Sequence, residues 1–394
     1  MISFSLLSPV LYYGLIPALV IYWLILAPGY RHLLLTGLSC CLLAAAAPAF
    51  FAFVVATAFL ISRASFNMSG MRTLLLSMAI GALTILCWKY IAGFFLSSAS
   101  QHSDFRIIFT TIGVSYMALR ITALIIDLNN KDVGNLSFLE CLNFLSFFPT
   151  LSAGPLESIT GFKKGYSENF DSCLFLTSVY RIILGLFKKL IILNILFAAL
   201  FGEAITQFIS SSGIPANEYS ASEIFLLSML LYLKAFLDIS AYTDLALGFA
   251  GLFGYRIISD VKYPLLARDL GDFWRRWHIS MMRWCQTYIY FPTFFSRKNM
   301  TIATFASLTV MGLWHNVEIK WLLWGLYQAL GLTILHYWNR FKKSRQYPSS
   351  DIMHRIHIGT GTVITFVFAT LAFLIMGPES LDRSVSLMQS LLGF

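Results

Sequence analysis

Nine long apolar segments dominate this chain and restrict what it can fold into. They run from Phe4 to Leu26, Leu33 to Ile61, Leu74 to Leu96, Phe105 to Leu128, Leu174 to Leu200, Ile224 to Phe253, Ile302 to Trp314, Trp321 to Tyr337 and Ile358 to Met376. A helix needs roughly 20 apolar residues to cross about 30 Å of hydrocarbon. Some segments therefore suit one span and the longer ones suit two short, tilted helices, for about nine to eleven crossings. Of the 394 residues, 58% are hydrophobic and 12% charged, and the mean hydropathy is +0.72. Such a chain does not stay soluble without lipid.

Pro48 interrupts the second segment and predicts a helical hairpin there. Arg31, Arg63 and Arg72 then share one side, which the positive-inside rule makes cytoplasmic, leaving the N-terminus outside. Arg340, Lys342, Lys343 and Arg345 mark a second cytoplasmic loop by the same rule. The first span has no basic leader or small-residue cleavage site before it and reads as a retained helix. Cys40, Cys41, Cys87, Cys141, Cys173 and Cys285 form no CxxC pair, mostly lie in apolar runs and read as small core hydrophobes. With no repeat, low-complexity tract or long polar linker, one membrane domain over residues 1–394 is the simplest organisation.

The formal net charge is +9 and the sequence pI is near 9.2. Loop cations facing anionic lipid explain that excess better than nucleic acid does. Between Arg256 and Lys298 eight basic residues stand against Asp260, Asp269 and Asp272, a local balance of 8 − 3 = +5. A surface of that sign suits an acidic protein as well as lipid headgroups. Proline and glycine break the pattern at residues 146–155, 254–272 and 291–299, and broken backbone at depth needs protein or a wet cavity against it. These breaks outline a possible internal site.

Two histidines in tryptophan-rich text carry the strongest signal for chemistry. Imidazole exchanges protons near neutral pH, and an ionisable group at membrane depth is a functional candidate by default. Placed on one helix, residues 273–288 put Phe273, Trp274, Trp277, Met281, Trp284, Cys285 and Tyr288 on one arc and Arg275, Arg276, Arg283, Gln286 and Thr287 opposite, with Ile279 and Met282 as exceptions. That is the pattern of a helix lying in the interface, with His278 at the margin of its apolar arc. A histidine bonded to backbone, beside arginines meeting phosphates, is the plainer reading.

His315 ends an almost wholly apolar stretch, and Gly312 one turn earlier predicts open space beside a desolvated, neutral imidazole able to accept a proton. The plainer reading is a helix-end histidine bonded to a carbonyl, with Glu318 as its solvated neighbour. No HxxxH or HExxH pattern accompanies the two histidines, so metal is not expected. Neither a GxSxG elbow nor a GxxxxGK[ST] loop is present. Lys234 and Asp238, four apart, are expected to neutralise one another. With Asp244 and the histidines they also compose the relay that a transporter or flippase would need, although no inverted repeat accompanies them.

Four blocks together resemble the membrane-bound O-acyltransferase (MBOAT) family. They are Phe147-Phe-Pro-Thr-Leu-Ser-Ala-Gly-Pro155, Leu237-Asp-Ile-Ser-Ala-Tyr-Thr-Asp-Leu-Ala-Leu-Gly248, Asp272-Phe-Trp-Arg-Arg-Trp-His-Ile-Ser280 and Met311-Gly-Leu-Trp-His315, within a family-like core of about residues 113–338. The resemblance implies an all-α polytopic membrane fold, a ring of tilted helices with short interfacial and re-entrant helices around a central funnel. It implies that His315 matches the catalytic histidine and His278 the second functional position. The first block is similar to the D-alanyl transfer branch, and Tyr288-Ile-Tyr-Phe-Pro292 runs into Thr-Phe-Phe-Ser-Arg-Lys298 rather than the Gly-Gly-Asn-Arg loop usual in alginate-type acetyltransferases. Two departures are Asn316, where a glycine usually follows the tryptophan–histidine pair, and Leu156-Glu-Ser158, where that branch usually has Ile-Asp-Arg.

That branch implies a D-alanyl thioester on the 4'-phosphopantetheine arm of an acidic, DltC-like carrier as co-substrate, with no tightly bound cofactor. It implies a DltD-like extracytoplasmic partner and teichoic acid or a related envelope polymer as destination. Trp274, Trp277, Trp284, Gly312 and Trp314 are then expected along the substrate route, although packing alone also explains the tryptophans, and Phe294, Phe295, Arg297 and Lys298 at the carrier-docking face, although the two phenylalanines also suit insertion into lipid. O-acetylation of an extracellular polysaccharide is the enzymatic alternative.

Overall fold

Proline sets the first helix boundaries. Pro28 opens α2 (Pro28–Ala46) and Pro48 opens α3 (Pro48–Arg63), both in the first turn, where a missing N–H costs nothing. The break expected at Pro48 thus falls at Ala47, between two helices. The computed structural model describes residues 9–64, 79–81, 113–130, 133–344 and 351–393. Most of the expected segment from Leu74 to Leu96, together with Arg72, Cys87 and Arg345, lies outside them. Among the described residues every regular element is a helix or helical turn, the only extended pairing being an isolated bridge between Tyr166 and Tyr255.

The chain forms two compact units, one of Met1–Leu186 with Tyr242–Ser259 and the other of Phe187–Ala241 with Asp260–Phe394. The first contains α1 (Pro9–Val20), α2, α3, α4 (Val114–Asn129), α5 (Phe138–Ser146), α6 (Ile159–Gly165) and α7 (Ser172–Leu186). Ser137 and Glu140 form a reciprocal capping box that starts α5, against which α2 and α3 pack. Arg31 is not the loop charge that its sequence position suggests. It is buried, donates to the carbonyls of Tyr22 and Glu168, and lies over the Trp23 ring at 4.6 Å.

The expected break at residues 146–155 sits in this unit's core, with Phe147 and Phe148 each 1% exposed. Protein groups satisfy its backbone. Arg120, buried on α4, donates to the Thr150 carbonyl at 2.6 Å and reaches those of Phe144 and Leu145 at the end of α5. Tyr242 pairs with Ser152 at 2.6 Å and accepts from the Ala153 N–H. Glu157, where the family pattern is departed from, accepts from the Ile258 N–H at 3.2 Å.

The second unit contains α8 (Ala198–Ile209), α10 (Leu270–Trp274), α11 (Ile279–Cys285), α12 (Phe291–Arg297), α13 (Met300–His315), α14 (Ile319–Ser344), α15 (Asp351–Met376) and α16 (Leu381–Leu392). The long α9 (Ala221–Leu252) and the helical run of residues 172–209 each contribute residues to both units. Four described helical segments are long and apolar enough to span a membrane: Pro28–Ala46, Ser172–Ile209, Ala221–Leu252 and Ile358–Met376. The chain is an all-α polytopic membrane protein. At 1.5 Å per residue α9 is roughly 48 Å long, more than the hydrocarbon thickness, so it tilts or emerges.

Charges along these spans find partners, though not always the expected ones. Asp238 pairs with Lys189 rather than with Lys234, which is exposed, and Asp244 pairs with Arg181 at 2.7 Å. Arg340, Lys342 and Lys343 belong to the last turns of α14 rather than to a loop. Cys141 and Cys285 are buried as expected, whereas Cys41 and Cys173 are exposed.

Candidate functional site

The second unit brings both histidines together. The segment expected to form one interfacial helix instead breaks: α10 ends at Trp274 and α11 begins at Ile279. His278 occupies the N-cap of α11 at φ 48°, a left-handed conformation uncommon for a residue with a side chain. Helical periodicity cannot register this break, because the group that holds it comes from elsewhere in the sequence. The apolar arc is also buried in protein rather than laid on lipid: Phe273, Trp274, Trp277, Met281, Trp284, Cys285 and Tyr288 are all buried, and so is Met282 from the opposite side. Arg275, Arg283, Gln286 and Thr287 remain exposed.

Asp260 holds the break. It is 2% exposed; its Oδ1 accepts the Ser280 N–H at 2.7 Å, its carbonyl accepts the Ile279 N–H at 2.9 Å, and its Oδ2 lies 3.1 Å from His278 Nδ1. Burial acts most strongly on this carboxyl and would raise its pKa. The His278 imidazole and the Ser280 donors outweigh it and hold the group below the usual carboxylate range.

His315 is the last residue of α13; part of the residue reaches the surface where the chain leaves the helix, while packed rings desolvate the imidazole. His278 is the buried member of the pair, at 6%, whereas His315 is exposed, as are residues 316–319 that follow it out of the helix. Aromatic rings nevertheless surround it. Trp321 stacks on the imidazole at 4.8 Å, Trp314 lies at 4.7 Å, Trp324 stands edge-on at 5.6 Å, and His278 is 6.4 Å away, centroid to centroid. Asn316 has extended backbone that any residue adopts and donates to Glu318 at 2.5 Å, so the missing glycine imposes no backbone demand here.

Gly312 serves a different purpose from the one expected. A Cβ there would run into the Trp321 carbonyl oxygen, and one at Gly325 into that of Leu308. The two glycines let α13 and α14 touch backbone to backbone, so the room beside Gly312 is taken by α14.

The expected tryptophans divide. Trp314 stands beside both histidines, at 6.2 Å from His278, and Trp274 joins the cluster through Trp324 at 6.2 Å. Trp277 stacks on Phe273 and meets Tyr232, and Trp284 packs on Tyr288. Sequence reading missed Trp321 and Trp324, whose spacing of three on α14 puts them on one helix face, and it counted Asp260 only as a local charge.

Phe294, Phe295 and Arg297 lie on α12, and Lys298 caps it. The break expected at 291–299 is therefore mostly helical; the chain widens over residues 286–290 ahead of Pro292, whose missing N–H falls in the first turn. Phe295, Arg297 and Lys298 are exposed, with the Lys298 ammonium 5.6 Å from the Phe295 ring centre. Phe294 is half-buried and stacks on Tyr290.

Two imidazoles, one reachable and one fixed by a carboxylate, among aromatic rings that exclude water, can move a proton between an alcohol and a leaving group. Comparison with known proteins points the same way. The MBOAT, membrane-bound O-acyltransferase family, pattern matches residues 59–377. A teichoic acid D-alanyltransferase of Bacillus subtilis (strain 168) is 26% identical over 298 residues, covering 71% of this chain and 72% of the relative. One from Streptococcus thermophilus is 27% identical over 247 residues, 59% of this chain and 58% of the relative. A peptidoglycan O-acetyltransferase of Helicobacter pylori is 24% identical over 263 residues, 65% of this chain and 47% of the relative.

Proposed function

The chain belongs to the membrane-bound O-acyltransferase family, and from that premise we propose that it transfers a D-alanyl group from a carrier-protein thioester across the membrane to a hydroxyl, for D-alanylation of teichoic acid or a related envelope polymer. Similarity to two teichoic acid D-alanyltransferases supports the choice of acyl group. The observation that carries the reading is the approach of His278 and His315 to 6.4 Å from blocks 315 − 278 = 37 positions apart.

A thioester is already activated, so the protein mainly aligns the acceptor hydroxyl and takes its proton. His315 is the general base. The hydroxyl oxygen attacks the thioester carbonyl carbon, the C–O bond forms, the C–S bond breaks, and the proton held by His315 passes to the departing sulfur. The products are an ester and a free pantetheine thiol. His278, 6.4 Å from His315 between ring centres, is near enough to help position the bound substrates while the hydroxyl proton goes to His315. Trp314, Trp321 and Trp324 keep bulk water from competing with it.

The acidic, DltC-like carrier docks on the cytoplasmic side at Phe295, Arg297 and Lys298, with Phe294 beneath, and presents its 4'-phosphopantetheine arm. A DltD-like partner receives the acyl group on the far side.

Similarity to a peptidoglycan O-acetyltransferase favours a second reading, the same chemistry with an acetyl donor. Mass analysis of the acyl group released after reaction with a defined carrier separates the two. The decisive test of the chemistry is transfer from D-alanyl carrier in proteoliposomes. His315→Ala should lower the rate by about 10²- to 10⁴-fold at matched protein level, and a wild-type rate rejects His315 as base.

A further inference from the structure

His278 presents a puzzle that its own segment cannot solve. It sits at a helix N-cap with a left-handed backbone, and its side chain does not cap the helix. A conformation of that kind persists only where its surroundings over-determine it. The Lys262 N–H donates to the Arg276 carbonyl just before the break, and one side chain meets the break itself. Asp260, 18 positions upstream, meets three consecutive residues: the imidazole of His278, the N–H of Ile279 and the N–H of Ser280.

The two carboxylate oxygens divide the work. Oδ1 caps α11 through Ser280, which would need only one oxygen. Oδ2 faces Nδ1 of the ring. An ionised carboxylate accepts and cannot donate, so Nδ1 must carry the proton in this contact. The opposite ring nitrogen, Nε2, is then the one left to exchange hydrogen bonds with a reacting group.

We propose that Asp260 is a positioning residue for acyl transfer, fixing His278 as the Nδ1–H tautomer so that Nε2 accepts a hydrogen bond from a second donor group of the bound substrates, while the attacking hydroxyl gives its one proton to His315. The inference rests on the reading of the two histidines given above, and its test can fail separately from that reading. In Asp260→Asn the amide oxygen can still accept from Ser280, but the amide nitrogen then offers a donor to Nδ1. The imidazole must answer as an acceptor there, and its proton moves to Nε2.

Nitrogen-15 NMR of histidine-labelled protein in detergent reads this directly, with His278→Ala assigning the resonance. Wild type should show Nδ1 protonated and Asp260→Asn should show the reverse, whatever acyl donor the protein uses. Carrier-dependent transfer by Asp260→Asn should fall in kcat by about 10- to 100-fold, with KM for the carrier within about twofold. Asp260→Glu keeps an acceptor and should keep the wild-type tautomer and recover part of the rate, which also covers the case in which the asparagine variant does not fold. An unchanged tautomer in Asp260→Asn, a reversed one in Asp260→Glu, or a reversed tautomer with undiminished kcat overturns the proposal. Should His315→Ala transfer normally while the tautomer responds as stated, the histidine chemistry falls and the structural role of Asp260 stands.

Discussion

Arg120 takes a charged group into the core of the first unit and spends it on backbone. Its guanidinium reaches the carbonyls of Phe144, Leu145 and Thr150, where α5 ends and the broken segment begins. Arg120→Leu should strand these acceptors at roughly 1–3 kcal/mol for each that finds no new donor. Its unfolding midpoint in detergent should fall well below that of wild type; an unchanged midpoint would mean that the break holds without it. The residue was available to the reasoning that singled out the histidines, an ionisable group in apolar text. His278 and His315 stood out because tryptophan flanks both. Asp260 did not, because its importance lies in contacts made 18 to 20 positions away. That part of His315 reaches the surface was also beyond reach of the sequence, because it depends on where the chain leaves the helix.

At the level of elements, apolar length made most helices legible, and the prolines fixed the boundary between α2 and α3 correctly. The error lay in continuity. Residues 273–288 have a clean apolar arc, and the protein buries that arc, but the helix restarts at Ile279 because Asp260 accepts the first free N–H groups there. Gly312 was read as a vacancy and is a contact. With no Cβ at Gly312 or Gly325, α13 and α14 close on one another, which sets Trp321 and Trp324 against His315. Gly312→Ala should force the two helices apart at a cost of about 1–3 kcal/mol. Activity should fall together with the unfolding midpoint, and Gly325→Ala should behave alike because it opposes the same crossing. Normal stability in both variants would show that the two helices can part without loss.

At the scale of the whole molecule, two units could not be read from the sequence, since α9 and the run of residues 172–209 supply residues to both without a polar linker. Charge asymmetry could be read, and it bears on how a carrier would be recruited. Arg256, Lys262, Arg268, Arg275, Arg283, Arg297 and Lys298 are all exposed, whereas Asp260 is buried on His278 and Asp272 is taken up by Arg275 and Arg276. Arg256 is also paired with Asp171 and Arg275 with Asp272, so Lys262, Arg268, Arg283, Arg297 and Lys298 are the cations that chiefly set the field offered to a partner. Attraction between an acidic carrier and exposed cations is screened once the Debye length shrinks from about 10 Å at 0.1 M salt to about 3 Å at 1 M. Apolar contact at Phe295 is not screened in that way. Carrier affinity should thus fall steeply with salt in wild type, and Phe295→Asp should weaken binding at every salt concentration, by removing an apolar anchor and adding a repelling charge. Titration of the carrier onto protein in nanodiscs measures both. Binding indifferent to salt and to Phe295→Asp would move the docking face away from α12, even if transfer itself still required His315.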